Sequence, residues 1–356
     1  MKRIWTRWLP AAAVPAVIAV GVLAGGAAAE SPPPPASPEQ VLALAAGHTA
    51  RQFSGTVEEK ADLGLPSIPS QALGPATNSS TLGSEASILE LLTTAHTARV
   101  YADGPTRMRV QIMDQLAERD AVRNGNDVWT FDSKTNTATH ATLPARSADD
   151  KSGKASAPAM SPDQLAQRFL TAAGPTTAVT LGPSASVAGH SAYTLVLTPK
   201  SAGTLVSSVH VLVEAKTGFP LGVDVYAKGQ ADPAFHSAFT QLDLAAPDAS
   251  VFAFTPPQGA TVKQEQAPAA TPKEGQAHPE GTKPTVTGKG WDAVVVVPAG
   301  SANSTVLNSP LVNQLATPVA GGKALSSSLV NVLLTNDGRI LAGAVPLSAL
   351  EAAAAK

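Results

Sequence analysis

Short segments in which apolar and polar residues alternate recur along the chain between residues 107 and 254. In the clearest of them, Met108, Val110 and Ile112 alternate with charged or amide side chains, which is the pattern of a strand with one buried face. Comparable segments lie at 128–131, 137–143, 193–198, 208–214, 221–227, 235–244 and 251–254. Tight-turn sequences at 124–126 and 216–218 separate neighbouring segments. The pattern predicts a mainly β (α+β) fold, built as an antiparallel meander with one apolar face.

Two segments carry the signals of amphipathic helices that would cover this apolar face. Ser37 is a suitable N-cap, Pro38 suits the first helical position, and Gln40 can complete a capping box ahead of an apolar stretch at 41–45. The same arrangement returns at Ser161, where apolar residues at 165, 169 and 170 form a stripe. We therefore predict two helices packed on the sheet.

The composition divides the chain into further parts. We predict a leader at 1–29, a proline-rich spacer at 30–37, a strand-rich domain at 38–262, a polar linker at 263–287 and a small β-rich module at 288–356. Loops are expected at 61–85 and 144–158. A short apolar helix at 86–92 is expected to pack on the rim of the sheet, with an extra lid or a membrane-touching element as the alternatives. The module shows strand patterns at 291–297, 329–334 and 339–345 and a helix at 348–355. We expect it to dock on the larger domain or to extend its sheet.

The first thirty residues have the organisation of an export signal. Lys2, Arg3 and Arg7 precede an apolar stretch at 9–24, and small residues at 27–29 suit cleavage before Glu30. The alternative is an uncleaved helix at 11–29 that tethers the protein to a membrane. Either reading predicts that the rest of the chain works outside the cytoplasm, in a periplasm-like space or the cell envelope.

Composition narrows the chemistry that the chain can perform. It has no cysteine, which excludes disulfides, thiolate nucleophiles and Cys-ligated metals. Loss of the three basic leader residues would change the formal net charge from −2 to −5, which argues against a nucleic-acid partner. The G-x-S-x-G, H-E-x-x-H and G-x-x-x-x-G-K motifs are absent from the sequence, and the seven histidines lack ligand spacing. Glu58 and Glu59 should point to opposite faces of a strand. We expect no enzyme activity, no cofactor and no metal site.

Four short motifs follow one another along the chain. Residues 53–57 read F-S-G-T-V, residues 124–132 read N-G-N-D-V-W-T-F-D, residues 193–200 read Y-T-L-V-L-T-P-K, and residues 252–262 read F-A-F-T-P-P-Q-G-A-T-V. In this order they resemble the LolA-like lipoprotein-carrier superfamily, which includes LolA, LolB and RseB/MucB-like proteins. The last motif is similar to the F-x-F-x-P-P-x-G-x-x-V ending of the carrier domain, and the resemblance covers about 38–262. The insertion at 61–85 and the long tail look more like an actinobacterial branch of the superfamily.

The resemblance implies an eleven-stranded incomplete antiparallel barrel with covering helices and an apolar groove for acyl chains. The expected groove lining comprises Met108, Val110, Ile112, Trp129, Phe131, Leu195, Leu197, Val211, Val223 and Val225. Trp129 and Phe131 share one strand parity, so they either line the groove or pack as ordinary core. The carriers have a latch arginine where this chain has Gly104, ahead of Pro105, so release by that latch is not expected.

These observations favour a monomeric, exported carrier or chaperone that binds the acyl chains of a lipid or lipoprotein. The alternative is an RseB/MucB-like envelope-stress sensor, which would use the same groove and bind a membrane-bound anti-sigma factor. A third reading is an envelope protein whose barrel is only structural. A stable partner complex would distinguish the sensor from the carrier.

Overall fold

The computed structural model describes residues 33–65, 95–113, 117–143, 174–266, 284–300 and 315–355. The predicted leader, the helix beginning near Ser161 and the short helix at 86–92 lie outside these residues, as does most of the predicted linker.

A single sheet of thirteen strands forms the larger part of the described structure. Its strands are β1 (Gln52–Ala61), β2 (His96–Asp103), β3 (Arg107–Met113), β4 (Glu118–Asn124), β5 (Asp127–Asp132), β6 (Thr137–Thr142), β7 (Thr177–Leu181), β8 (Ala185–Val187), β9 (His190–Pro199), β10 (Val206–Glu214), β11 (Pro220–Ala227), β12 (Phe235–Asp243) and β13 (Thr261–Gln266). The spatial order is β13-β6-β5-β4-β3-β2-β1-β12-β11-β10-β9-β7, with β8 also paired to β9.

The sheet is an open, antiparallel structure, as the alternating sequence pattern predicts. Among its strand pairs, only β6–β13 is parallel, and β13 and β7 stand at its two ends without pairing with each other. The fold class, a mainly β incomplete barrel with helical cover, is thereby confirmed. The count of eleven strands implied by the family resemblance is wrong, because β8 and β13 bring the total to thirteen.

The predicted strand at 251–254 is also wrong. A 3-10 turn occupies Ala249–Phe252, capped by Asp248, whose side chain accepts a hydrogen bond from the Ser250 backbone N–H. The alternating apolar residues at 252 and 254 pack on the sheet from this irregular segment rather than from a ladder. The strand that follows is β13, which begins after the Pro256-Pro257 pair.

Helix α1 (Pro38–Ala46) begins at the predicted cap. The Ser37 hydroxyl accepts from the Gln40 backbone N–H, and the Gln40 side chain accepts from the Ser37 backbone N–H, which completes the capping box. The helix buries Val41 against Tyr193 and Val213 of the sheet. The Tyr193 hydroxyl donates to the Pro34 carbonyl at 2.9 Å, so the end of the proline-rich segment also lies on the sheet.

The residues after the linker form a second sheet with a helix on it. Its strands are β14 (Thr285–Thr287), β15 (Val294–Val297), β16 (Thr317–Val319), β17 (Gly322–Ser326), β18 (Asn331–Thr335) and β19 (Ile340–Gly343), in the order β14-β15-β19-β18-β17-β16. Helix α2 (Leu347–Ala354) buries Leu350 against Leu333 and Leu341. The predicted strand at 291–297 is shorter than expected, because a 3-10 turn takes Gly290–Asp292.

The second sheet docks on the first without extending it. The Leu205 backbone N–H donates to the Ala344 carbonyl at 2.7 Å, and the Ser328 N–H donates to the Leu63 carbonyl at 2.8 Å. The Trp291 indole N–H donates to the Thr177 hydroxyl at 2.8 Å. These contacts lie at the end of the first sheet where β1 and β9 finish and β7 and β10 begin.

Candidate ligand-binding face

One face of the large sheet is defined by the helix that packs on it. Val41 of α1 contacts Tyr193 of β9 and Val213 of β10, which are directly paired across these strands. Because side chains alternate along a strand and paired residues share a side, the register extends this face across neighbouring strands. We call it the helix face.

Eight of the ten predicted groove residues share the helix face. Leu195 pairs with Val211, which pairs with Val223, and Leu197 and Val225 lie two residues further along the same strands. Val223 pairs with Ser237, and Ser237 pairs with Glu59 of β1, which carries the face to the other half of the sheet. Two residues along β1, Val57 pairs with Ala98, and Ala98 pairs with Ile112. Met108 and Val110 follow Ile112 at alternate positions of β3.

Trp129 and Phe131 lie on the opposite face. Trp129 pairs with Val122, which pairs with Arg109, so its side chain shares the side of Arg109 and not that of Met108. Phe254 packs against both aromatic rings, with centroid separations of 5.5 Å to Trp129 and 6.2 Å to Phe131. We call residues 249–254 the strap and this side the strap face. The ten residues therefore do not form one surface, and these two aromatics lie under the strap.

The helix face is apolar but only partly covered by the residues that the structure describes. Leu195 and Ile112 are buried, whereas Val110, Val211, Val223 and Val225 are half-buried. Met108 is 46% exposed. Helix α1 covers the part of the face around Tyr193, Val211 and Val213. The strip from β11 to β3 thus presents aliphatic side chains that neither described helix buries.

One polar couple interrupts the aliphatic face, and sequence reasoning missed it. Glu59 and His96 are directly paired on β1 and β2, and His96 is buried. Burial raises the pKa of the Glu59 carboxyl, and the nearby His96 opposes this rise. The Glu58-Glu59 pair is visible in the sequence, but only the register shows that Glu59 points to the apolar side and Glu58 away from it.

At β4 the side chains of the helix face change from apolar to basic. Arg119 pairs with Ile112, and Arg123 pairs with Met108, so both guanidinium groups stand on the helix face beside predicted groove residues. The Arg123 Nε donates to the Gly125 carbonyl at 3.1 Å. The aliphatic strip is therefore bounded by basic residues on this side.

Gly104, at the position of the carrier latch arginine, lies in the β2–β3 turn. Its φ is 72°, in the left-handed region that favours glycine. An arginine would be strained there, which accords with the departure from the carrier pattern seen in the sequence.

A second couple of titratable side chains lies on the strap face. His236 Nδ1 lies 2.5 Å from Asp224 Oδ1 on the strap face, and His210 pairs with Asp224 from the next strand. Within the described ranges, no group of three or more His, Asp or Glu side chains is close enough to hold a metal ion. No helix in the same ranges has the length and apolarity to cross a membrane.

Neither a protein-family model nor a curated protein matches the chain. Several solved structures are similar to it. The MucA/MucB complex of Pseudomonas aeruginosa matches at 19% identity and a TM-score of 0.41, covering 88% of this chain and 94% of that one. A LolA superfamily protein of Nitrosomonas europaea matches at 12% identity and 0.23, covering 62% and 99%. A DUF1329 family protein of Desulfovibrio piger matches at 11% identity and 0.23, covering 61% and 95%. The similar structures thus include both groups that the sequence motifs resemble.

Proposed function

We propose that this protein binds the acyl chains of a lipid or lipoprotein on its helix face and carries them outside the cytoplasmic membrane, without covalent chemistry. The observation that carries the proposal is the collection of eight predicted apolar residues on one face, of which five are half-buried and Met108 is exposed. The export signal expected at 1–29 supports the location.

Burial of hydrocarbon supplies the driving force for such binding. Each methylene removed from water contributes about 0.8 kcal/mol, so a sixteen-carbon chain would gain on the order of 10 kcal/mol before the costs of ordering. Met108 is 46% exposed and Val110 is half-buried, so the described residues leave hydrocarbon of both side chains in contact with water that an acyl chain could displace.

Native mass spectrometry of the exported, purified protein, followed by lipid extraction, tests the proposal. We expect the wild-type protein to retain an acyl lipid and Met108→Glu, made together with Arg123→Gln, to lose it, because a carboxylate beside hydrocarbon is costly once the paired guanidinium is removed. Since Met108 is 46% exposed, its substitution should leave the fold intact. Val286→Glu is the matched control: it also replaces an exposed apolar strand residue, here 65% exposed, but in the second sheet.

Two results would overturn the proposal. Lipid-free wild-type protein that also fails to bind added acyl lipids would remove the carrier function. Equal lipid content in this double variant, Met108→Glu with Arg123→Gln, and wild type would remove the helix face as the site. A stable complex with a membrane-bound protein, whose affinity changes with lipid, would favour the sensor function instead.

A further inference from the structure

The helix face is almost free of charge between its two ends. In the described strands β1, β2, β3, β9, β10, β11 and β12, the register places Tyr193, Glu59 and His96 there as the only ionisable side chains. The charged residues of the same strands, including Lys60, Arg109 and Asp224, occupy the strap face. A carboxylate on an otherwise aliphatic surface costs free energy unless it binds a partner.

We propose that Glu59, beside the buried His96, forms the polar end of the acyl site and binds the hydroxyl-bearing, uncharged head group of a lipid. The inference rests on the proposed function, since it assigns the ligand class of the same face. A hydroxyl head donates hydrogen bonds to the half-buried Glu59 carboxylate, whose charged form the neighbouring His96 favours.

The position of the couple suits a head group rather than the middle of a hydrocarbon chain. Glu59 lies near the end of β1, and four residues later the Leu63 carbonyl accepts a hydrogen bond from Ser328 of the second sheet. From this end, Val57 and Val110 continue the face in one direction and Val223 continues it in the other. A lipid whose head contacts Glu59 can therefore extend its chain over aliphatic side chains.

The charges near the couple favour a neutral head over an anionic one. Glu59 is half-buried, and burial raises the pKa of its carboxyl, so the carboxylate would gain from a hydrogen-bond donor. An anionic head would be repelled by this carboxylate. Arg119 and Arg123 stand on β4, three strands from Glu59 or about 14 Å from backbone to backbone at the usual strand spacing, so the carboxylate is the nearer charge to a head group held at Glu59.

A set of lipids with one common chain tests the assignment. Delipidated full-length protein is titrated with a dansyl-labelled acyl probe, which is then displaced by monopalmitoylglycerol, methyl palmitate or palmitate. We expect monopalmitoylglycerol to bind about tenfold more tightly than methyl palmitate, the difference that hydrogen bonds to a charged acceptor provide. The Glu59→Leu variant should lose this preference but should still bind methyl palmitate.

Glu58→Leu is the matched control, because Glu58 precedes Glu59 in the same strand but points to the strap face. It should keep the wild-type preference. Equal binding of all three lipids to the wild-type protein would overturn the head-group assignment and leave the carrier function standing. A preference for palmitate would overturn it in favour of Arg119 and Arg123. Failure of every lipid to bind would instead remove the carrier function itself.

Discussion

Arg109 and Asp120 form a two-point ion pair across β3 and β4, on the strap face of the large sheet. The Arg109 Nε donates to Asp120 Oδ1 at 3.1 Å, and Nη2 donates to Oδ2 at 2.7 Å. The remaining guanidinium nitrogen, Nη1, donates to the Val251 carbonyl in the strap at 3.0 Å. The Asp120 side chain is 2% exposed and the Arg109 side chain 21%, so the carboxylate is buried and the guanidinium partly buried. The pair joins the sheet to the strap that covers Trp129 and Phe131.

Removing the arginine should destabilise the protein in a pH-dependent way. Arg109→Met leaves the buried Asp120 carboxylate without its cation, so we expect a loss of about 3 kcal/mol in the free energy of unfolding at pH 7. Burial already raises the pKa of Asp120, against the opposing effect of Arg109, and the variant should raise it further. A raised folded-state pKa gives a stability contribution that is full below the unfolded pKa and is lost as pH rises through the folded value. Urea unfolding should therefore show a smaller deficit near pH 4 than at pH 7.

Arg107→Met provides the control for this prediction. Arg107 belongs to the same strand and pairs with Asp103 at 2.5 Å, but its side chain is 43% exposed. Its partner Asp103 also accepts a hydrogen bond from the Gln52 side chain, so loss of the exposed arginine should cost only about 0–1 kcal/mol. Equal losses in the two variants, or a deficit in Arg109→Met that does not change with pH, would contradict the account of the buried pair.

Gly218 sets how closely α1 approaches the sheet. This residue ends the β10–β11 turn with a φ of 76°, and a Cβ added there would overlap the Leu44 carbonyl oxygen of α1. Gly218→Ala should therefore displace the helix and lower stability by about 1–3 kcal/mol, combining backbone strain with a steric clash. Gly125→Ala separates the two effects, since Gly125 has a φ of 64° but nothing within 4 Å of such a Cβ. Thermal unfolding should show a clearly smaller loss for Gly125→Ala, and equal losses would exclude the clash.

The sequence predicts the elements of this fold better than it predicts which faces they share. The capping residues Ser37 and Gln40 act within one helical turn, so their hydrogen bonds can be read from local spacing. Alternation likewise predicts that Met108 and Ile112 share a side. It cannot relate that side to the side of Trp129, because the relation depends on the pairing of three strands through Val122 and Arg109.

The same limit explains the strap and the Glu59–His96 couple. Phe252 and Phe254 alternate as strand residues do, but the turn capped by Asp248 makes them a cover for another part of the sheet. Glu59 and His96 are 37 positions apart in sequence, and only the β1–β2 register brings them together. The long insertion between these strands hides the pairing from local patterns.

The boundary between the large sheet and the linker can be tested by truncation. The sequence places the end of the carrier domain at 262, whereas β13 continues to Gln266 in register with β6. We expect a chain ending at Gln266 to unfold cooperatively, with a lower melting temperature than the full chain because it lacks contacts such as that from Ser328 to Leu63. A chain ending at Ala260 should melt lower still, since it exposes the edge of β6. Aggregation of the longer truncation would show that the large sheet requires the second one.

The hydrogen bond between Trp291 and Thr177 tests how much a contact between the two sheets contributes to the free energy of unfolding. The indole N–H donates to the Thr177 hydroxyl, so Trp291→Phe should cost about 1 kcal/mol through this bond, beyond any change in ring packing. A double-mutant cycle with Thr177→Val isolates the bond from the packing, because both single variants remove the same interaction. We expect a coupling energy of about 1 kcal/mol in the free energy of unfolding of the full chain.

A second cycle, between Trp291→Phe and Thr240→Val, is the control. Thr240 lies on the distant β12, so the effects of these two substitutions on the free energy of unfolding should be additive. No coupling between Trp291 and Thr177 would mean that the two sheets do not form this contact in solution.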